Sequence, residues 1–373
     1  MSCLTHLFIS GFLPSPRIPS GGQKLVYEIL REQAAQGPVT LLAFSNELER
    51  GYFVADDYGM CAGVKVFELT RAVRLRSALR HPGLPLTTSA RYAAASHWLR
   101  GRQFASVWVE FIQGASLLAA VPSGVPSTLV IHDLFHQTLG RRAAGARGIR
   151  RWLWHWEAAR TRRWEGAVIR QAGRVLTLND KDRELILECS GRTDVTVRYP
   201  VVDAAYRRVC RSAASVRPDT ILFWGLMSRA ENEDSVTWFC REVLPGIRRV
   251  RPGVRFLIAG ANPSPAVRAL AGPGIEVLGF VKDPIPLFGS VALAVAPLRQ
   301  GAGIKIKVIE YLAAGIPTVA SPVGAEGVRP SPLLRVRADA AGFASACLDI
   351  LGQTLHDVPV TGGGPETGGR SSL

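Results

Sequence analysis

The sequence predicts an α/β protein built on two doubly wound parallel sheets, and three observations predict it. Short apolar runs alternate with helical segments along most of the chain. A strand, a glycine loop and a helix follow one another twice, at 4–30 and at 291–314. Periodicity lapses once, between Pro200 and Pro218, where one domain would give way to the next. With 373 residues the chain can bury two separate cores. The expected division is a first domain at 1–200, a second at 201–352, and a glycine-rich tail at 353–373.

In the first half, 4–10 reads as a strand and not as a leader. It has neither a basic start nor a small-residue cleavage site, which implies a cytoplasmic protein. A loop with three prolines follows at 11–20. Gly21 and Gly22 then open a helix whose Leu25, Val26, Ile29 and Leu30 share one face. Further strands fall at 39–44, 64–69, 105–111 and 127–131. His132 and Asp133 stand at the carboxyl end of the last of these and Glu110 at the end of the one before, the edge where such sheets bind ligands. The simpler reading of His132 is a hydrogen bond to its own loop. His132 and His136 have the spacing of metal ligands on a helix, but no second pair accompanies them and no metal is expected.

The segment 141–170 carries nine arginines against Glu157 and Glu165, interleaved with Trp152, Trp154, Trp156 and Trp164. Two readings are open. A basic helix with tryptophans on one side can lie on an anionic membrane. Alternatively, a long amphipathic helix packs on the first sheet through Ile149, Trp152 or Leu153, Trp156, Ala167 and Val168, its arginines solvated.

After strands at 174–179 and 195–199, the second half runs as strands at 220–225, 255–260, 276–280, 291–296 and 318–321. Arg229 lies just past the first of these, placed like a phosphate-contacting base. The run Val291–Ala296 is stopped by Pro297. Gly301 and Gly303 then open a loop before a helix at about 304–314, which Gly315 caps and Pro317 ends. Such a helix start presents backbone N–H groups and a positive dipole end, a suitable seat for a diphosphate. Lys305 and Lys307 add positive charge. Glu310 shares a helix face with Lys307 and could accept hydrogen bonds from ribose hydroxyls, while Val308, Ile309, Leu312 and Ala313 turn toward the sheet. A solvated Lys–Glu pair on a surface helix is the plain alternative.

Composition narrows the function. Hydrophobic residues at 47% and charged residues at 20% exclude wholesale disorder. No apolar run approaches the roughly 18 residues of a membrane span. Six cysteines are scattered without metal or disulfide spacing. The formal charge is +15, carried by 45 − 6 = 39 arginines and six lysines. An anionic donor, an anionic lipid surface or nucleic acid could meet it. No nucleic-acid-binding signature accompanies the charge, so nucleic acid is not an expected partner.

The pattern PLRQGAGIKIKVIEYLAAGIPTVASPVGAEGV, with ILFWGLMSRAENEDSVTWFCREVLPGIRRVRPGVRFLIAGANPSPAVRAL upstream of it, resembles the donor-site half of the family 4 retaining glycosyltransferases, also called group 1 glycosyl transferases. The resemblance implies the glycosyltransferase B architecture, two Rossmann-like domains facing a cleft. It also implies metal-independent transfer from a nucleotide diphosphate sugar to a saccharide or lipid-linked acceptor, as in exopolysaccharide, lipopolysaccharide or glycolipid synthesis. The implied donor-binding residues are Gly21, Gly22, Gly301, Ala302, Gly303, Lys307 and Glu310. His132 would contact the donor sugar, Lys307 and Arg229 the leaving diphosphate, and Glu110 and Asp133 the acceptor side. Attachment to the inner face of a membrane through 141–170 fits this picture. One position departs from the family: Ala302 stands where a sugar-contacting glutamate is usual. That departure leaves two rivals, a catalytically silent scaffold and a nucleotide-sugar epimerase of the same fold.

Overall fold

The computed structural model describes residues 4–353, so the expected glycine-rich tail, beyond Gln353, lies outside the described residues. The chain forms two compact units. Among the described residues, the first contains those up to Val201 together with Leu298–Lys307 and Pro322–Arg329, and the second contains Val202–Pro297, Val308–Ser321 and those from Pro330 onward.

The sheet of the first unit has seven strands: β1 (His6–Ser10), β2 (Val39–Ser45), β3 (Gly63–Glu68), β4 (Ser106–Glu110), β5 (Ser127–Ile131), β6 (Arg174–Thr177) and β7 (Val195–Val197). Their order is β3-β2-β1-β4-β5-β6-β7, and every pairing is parallel. Both faces are covered, which is why the strands read as near-continuous apolar runs. Phe8, Leu41 and Ala43 pack on one face with Val26, Ile29 and Leu30 of the helix Gly21–Gln36. Leu7, Ile9, Leu42 and Phe44 point the other way, into a core closed by Ala95 and Leu99 and by Val168 and Ile169. The strand order reverses between β1 and β4, so their carboxyl ends, at Ser10 and Glu110, flank the crevice where doubly wound sheets bind ligands.

The second unit holds six parallel strands: β8 (Arg217–Trp224), β9 (Arg255–Ala259), β10 (Ile275–Gly279), β11 (Val291–Ala296), β12 (Thr318–Ala320) and β13 (Leu334–Val336). They are ordered β10-β9-β8-β11-β12-β13. Ile221 and Phe223 bury against Phe239 and Phe343 on one face, while Leu222 meets Phe288 and Tyr311 on the other. The switch point lies between β8 and β11. The chain therefore leaves that crevice twice, once toward Arg229 and once toward the glycine loop.

Three sequence expectations need correction. The edge strand β13 has no apolar signature, because its three residues Leu334–Val336 are at most half-buried and include Arg335. The helix Ile306–Ala313 starts two residues later than expected and turns Val308 and Tyr311 inward in place of Ile309, Leu312 and Ala313. Burial of a tyrosine there is compensated: the backbone N–H of Trp224 donates to its hydroxyl at 2.7 Å. Finally, 141–170 is no single helix. Gly145 ends the helix Phe135–Ala144, and the helix Gly148–Gln171 begins after a break. Of the expected packing stripe, Val168 is buried, but Ile149, Trp152, Leu153 and Trp156 are 70, 61, 48 and 52% exposed. No helix among the described residues is long and apolar enough to cross a membrane.

Candidate active site

Within the first unit, the glycine loop 298–307 is held by the protein's own cations. Arg141 donates to the Gly301 carbonyl, and Lys305 Nζ donates to the carbonyls of Ala302 and Gly303, at 3.0 and 2.6 Å. A planar trans peptide points its N–H opposite to its C=O. With three successive carbonyls turned to cations, the N–H groups of Ala302, Gly303 and Ile304 therefore face the other way, the arrangement of an anion-binding nest.

Glu326 completes the clamp. Its carboxylate accepts two hydrogen bonds from Arg141, Nη1 at 2.9 Å and Nη2 at 2.5 Å, and one from Lys181, and it lies 3.9 Å from Lys305 Nζ. The side chain is only 7% exposed. Burial alone would raise its pKa, but the hydrogen bonds from Arg141 and Lys181 outweigh this and hold it below the ordinary carboxylate value. Burial pushes the Lys305 ammonium down to about 8, against the pull of Glu326. The Lys305 ammonium folds back on the loop and acts as a strut for it.

Two glycines show how closely the pieces approach. Gly303 has φ +72°, and a Cβ on it would stand 2.7 Å from the His132 carbonyl oxygen and 2.9 Å from Asp133 Cβ. A Cβ on Gly21 would meet Ile306 at 3.0 Å. Gly21, His132, Asp133, Gly301 and Gly303 are thus neighbours around one corner. Gly22 has open space around its Cα.

At the carboxyl ends of β4 and β5, Glu110 Oε2 accepts from His132 Nε2 at 2.6 Å and its Oε1 accepts from Trp108 Nε1 at 2.7 Å. The His132 ring stacks on Phe111, with centroids 4.0 Å apart. Phe111 holds a φ of +67°, a costly conformation for a bulky residue that marks this turn as constrained. Glu110, the acceptor-side candidate, is fully buried and paired with His132 and Trp108; an unpaired carboxylate there would be costly. His136 has a different partner. Its Nδ1 meets Glu165 at 2.5 Å, and the other oxygen of Glu165 accepts from the Phe135 N–H at 2.6 Å, capping the helix Phe135–Ala144. The two histidines therefore serve separate carboxylates. No group of three or more metal-ligating side chains occurs among the described residues.

In the second unit, Glu310 is half-buried on the helix Ile306–Ala313 beside Tyr206. Burial first, and then the charge and hydrogen bond of Glu310, push the Tyr206 hydroxyl pKa upward. Arg229 stands at the N-cap of the helix Ala230–Trp238 with its side chain 53% exposed, 3.6 Å from Glu231. Lys307 lies on the first turn of the helix Ile306–Ala313 and ends a segment of the first unit. A cavity of about 460 Å³ elsewhere in the first unit is lined by His81, Leu84, Tyr92, Ser116 and Trp164, and none of the candidate residues lines it.

Sequence reasoning missed Arg141, Lys181 and Glu326 as parts of the site. Their partners lie 145 to 185 positions apart, beyond any local pattern.

Residues 218–353 match the family model described as "Glycosyl transferases group 1". This segment is a group 1 glycosyl transferase domain. The group 1 domain thus contains all of the second sheet except its first residue, along with the glycine loop, Lys307 and Glu310. No curated protein matches the chain in sequence. Among solved structures, Anabaena HepE in complex with UDP and glucose is similar with a TM-score of 0.58 at 13% identity, over 95% of this chain and 90% of that one. Sucrose-phosphate synthase from Thermosynechococcus elongatus has a TM-score of 0.63 at 14% identity, over 94% and 90%. A variant of TarM from S. aureus in complex with fondaparinux, α-GlcNAc-glycerol and UDP has 0.63 at 8% identity, over 94% of each chain. At these identities the likeness speaks to fold, and the fold is the glycosyltransferase B type, with one doubly wound domain preceding the group 1 domain.

Proposed function

We propose that the protein is a retaining glycosyltransferase that moves a sugar from a nucleotide diphosphate sugar to a saccharide or lipid-linked acceptor. The observation that carries this reading is the glycine loop, whose carbonyls are turned to Arg141 and Lys305 so that consecutive N–H groups present themselves to an anion. The diphosphate binds these N–H groups with Lys307 and Arg229, and its growing charge on departure is met by groups already in place. No metal ion is assigned a part. Glu310 accepts hydrogen bonds from the ribose hydroxyls. His132, oriented by Glu110, faces the sugar. The bond from the anomeric carbon to the phosphate oxygen breaks as the bond to the acceptor oxygen forms on the same face, and the acceptor's proton passes to the leaving phosphate.

The HepE and TarM structures contain UDP, which makes a uridine donor the first to try. Work in the synthesis of a polysaccharide or glycolipid, at the cytoplasmic face of a membrane reached through 141–170, completes the proposal. Turnover tests it. Incubation with UDP, GDP, ADP and dTDP sugars and a saccharide or lipid acceptor should yield one glycoside whose anomeric configuration, read by NMR, equals that of the donor. An inverted product refutes retention. Donor binding without turnover favours the silent scaffold, and conversion of the free nucleotide sugar to its epimer favours the epimerase.

A further inference from the structure

Two helices of the first unit expose apolar side chains at the spacing of a core stripe. In the helix Gly148–Gln171, Ile149, Trp152, Leu153 and Trp156 fall at i, i+3, i+4 and i+7, the spacing of a core stripe, yet all four are about half exposed or more. Further along, the helix turns Glu157, Thr161 and Glu165 inward, and only its last two turns bury apolar side chains, Val168 and Ile169. The helix Arg71–Arg80 does likewise: Leu75 and Leu79, at i and i+4, are 68 and 77% exposed, while Ser77 is buried and Val73 packs against the core. The chain just after the second helix sits on the first. The Leu86 N–H donates to Glu157 at 3.0 Å, and Arg160 donates to the Pro82 carbonyl at 2.6 Å while lying over the Trp156 ring. Leu86 is itself 55% exposed.

Charge surrounds this apolar surface with one sign. Exposed arginines at 71, 74, 76 and 80 belong to one helix, and those at 142, 147, 150 and 151 lie at or near the start of the other. Neither 69–109 nor 134–156 contains a single Asp or Glu. A second copy of the chain would set arginine against arginine across a symmetric contact, which argues against self-association. A surface of fixed negative charge over a hydrocarbon interior answers both features at once.

We propose that the helices Arg71–Arg80 and Gly148–Gln171 together form one docking face for an anionic lipid bilayer. Leu75, Leu79, Ile149, Trp152, Leu153 and Trp156 enter the interface and the arginines meet lipid phosphates. This rests on the membrane part of the proposed function and extends it to a helix outside 141–170, so that attachment is two-footed and fixes an orientation.

Co-sedimentation of the full chain with phosphatidylcholine vesicles, with and without about one third phosphatidylglycerol, tests it. The wild type should bind only the anionic vesicles, release as salt is raised, and show a blue shift of tryptophan emission on binding. Leu75→Asp/Leu79→Asp should weaken vesicle binding at least about tenfold, since two apolar side chains leave the interface and two like charges meet the lipid. Both positions are exposed, so far-ultraviolet circular dichroism should not change. Normal binding by this variant, with loss of binding in Trp152→Ser/Trp156→Ser, overturns the two-helix face and leaves attachment through 141–170 standing. Failure of the wild type to bind anionic vesicles overturns both. A concentration-dependent dimer of the wild type that Leu75→Asp/Leu79→Asp abolishes would identify the face as a self-contact and overturn the proposal as well.

Discussion

Replacing Glu326 with glutamine should loosen the glycine loop while leaving both sheets intact. The carboxylate accepts two hydrogen bonds from Arg141 and one from Lys181, with Lys305 Nζ 3.9 Å away, so its removal leaves three cations around one small site without their anion. Removing one partner of a fully buried ion pair costs roughly 3–5 kcal/mol. Here Arg141 and Lys181 keep 29 and 33% of their side-chain surface in solvent, and water recovers part of the loss. A cost of about 2–3 kcal/mol remains, concentrated in the loop. The assay is amide hydrogen exchange at Ala302, Gly303 and Ile304. Expressed as local opening, this cost is roughly a 30- to 160-fold faster exchange, with the amides of β8 and β11 unaffected. Nucleoside diphosphate affinity should fall in the same variant, because the nest must be re-formed before it binds. Exchange in the loop equal to wild type would refute the clamp.

Other consequences follow from the same residues. Lys305 has a folded-state pKa of about 8 against an ordinary 10.5, so between those values the unfolded chain holds a proton that the folded chain lacks, and stability rises with pH across that window. Lys305→Met removes the titration: the stability of the wild type relative to this variant, followed by urea unfolding, should grow from pH 8 to pH 10, and a flat difference would contradict the burial of the ammonium. His132→Ala should lower turnover far more than diphosphate affinity, and Glu110→Gln should do the same more mildly, because a group engaged mainly as the leaving group departs adds little to ground-state binding. Normal turnover in His132→Ala would show that other residues hold the sugar. With Ala302 in place of the usual carboxylate, free nucleoside diphosphate should bind about as tightly as the complete donor, and a strong calorimetric preference for the nucleotide sugar would contradict that.

The sheets were legible because buried parallel strands must be apolar on both faces. Runs such as Leu7–Phe8–Ile9 and Leu41–Leu42–Ala43 allow few other readings. β13 was not legible, since an edge strand buries little and three residues set no period. The helix Gly148–Gln171 misled for a related reason: periodicity reports which residues share a face, not whether that face meets a core or solvent, and Ile149, Trp152, Leu153 and Trp156 have core spacing on an exposed surface. At the site, the glycine loop and the strand-end positions of His132 and Glu110 could be located from local order. The hydrogen bond from His132 to Glu110 and the fastening of Gly301 by Arg141 join distant segments, and nothing in the spacing of either partner announces them.

The central claim is that the glycine loop and the helix after it seat a nucleoside diphosphate. Calorimetric titration of UDP, GDP, ADP and dTDP into the wild type, Lys307→Ala and Glu310→Gln tests it most directly. One diphosphate should bind the wild type. Lys307→Ala should weaken that diphosphate about tenfold to a hundredfold, the worth of a hydrogen bond to a charged group, and Glu310→Gln should weaken the corresponding nucleoside monophosphate as well. Binding with equal affinity by all three proteins, or by none of them to any of the four nucleotides, would contradict the account.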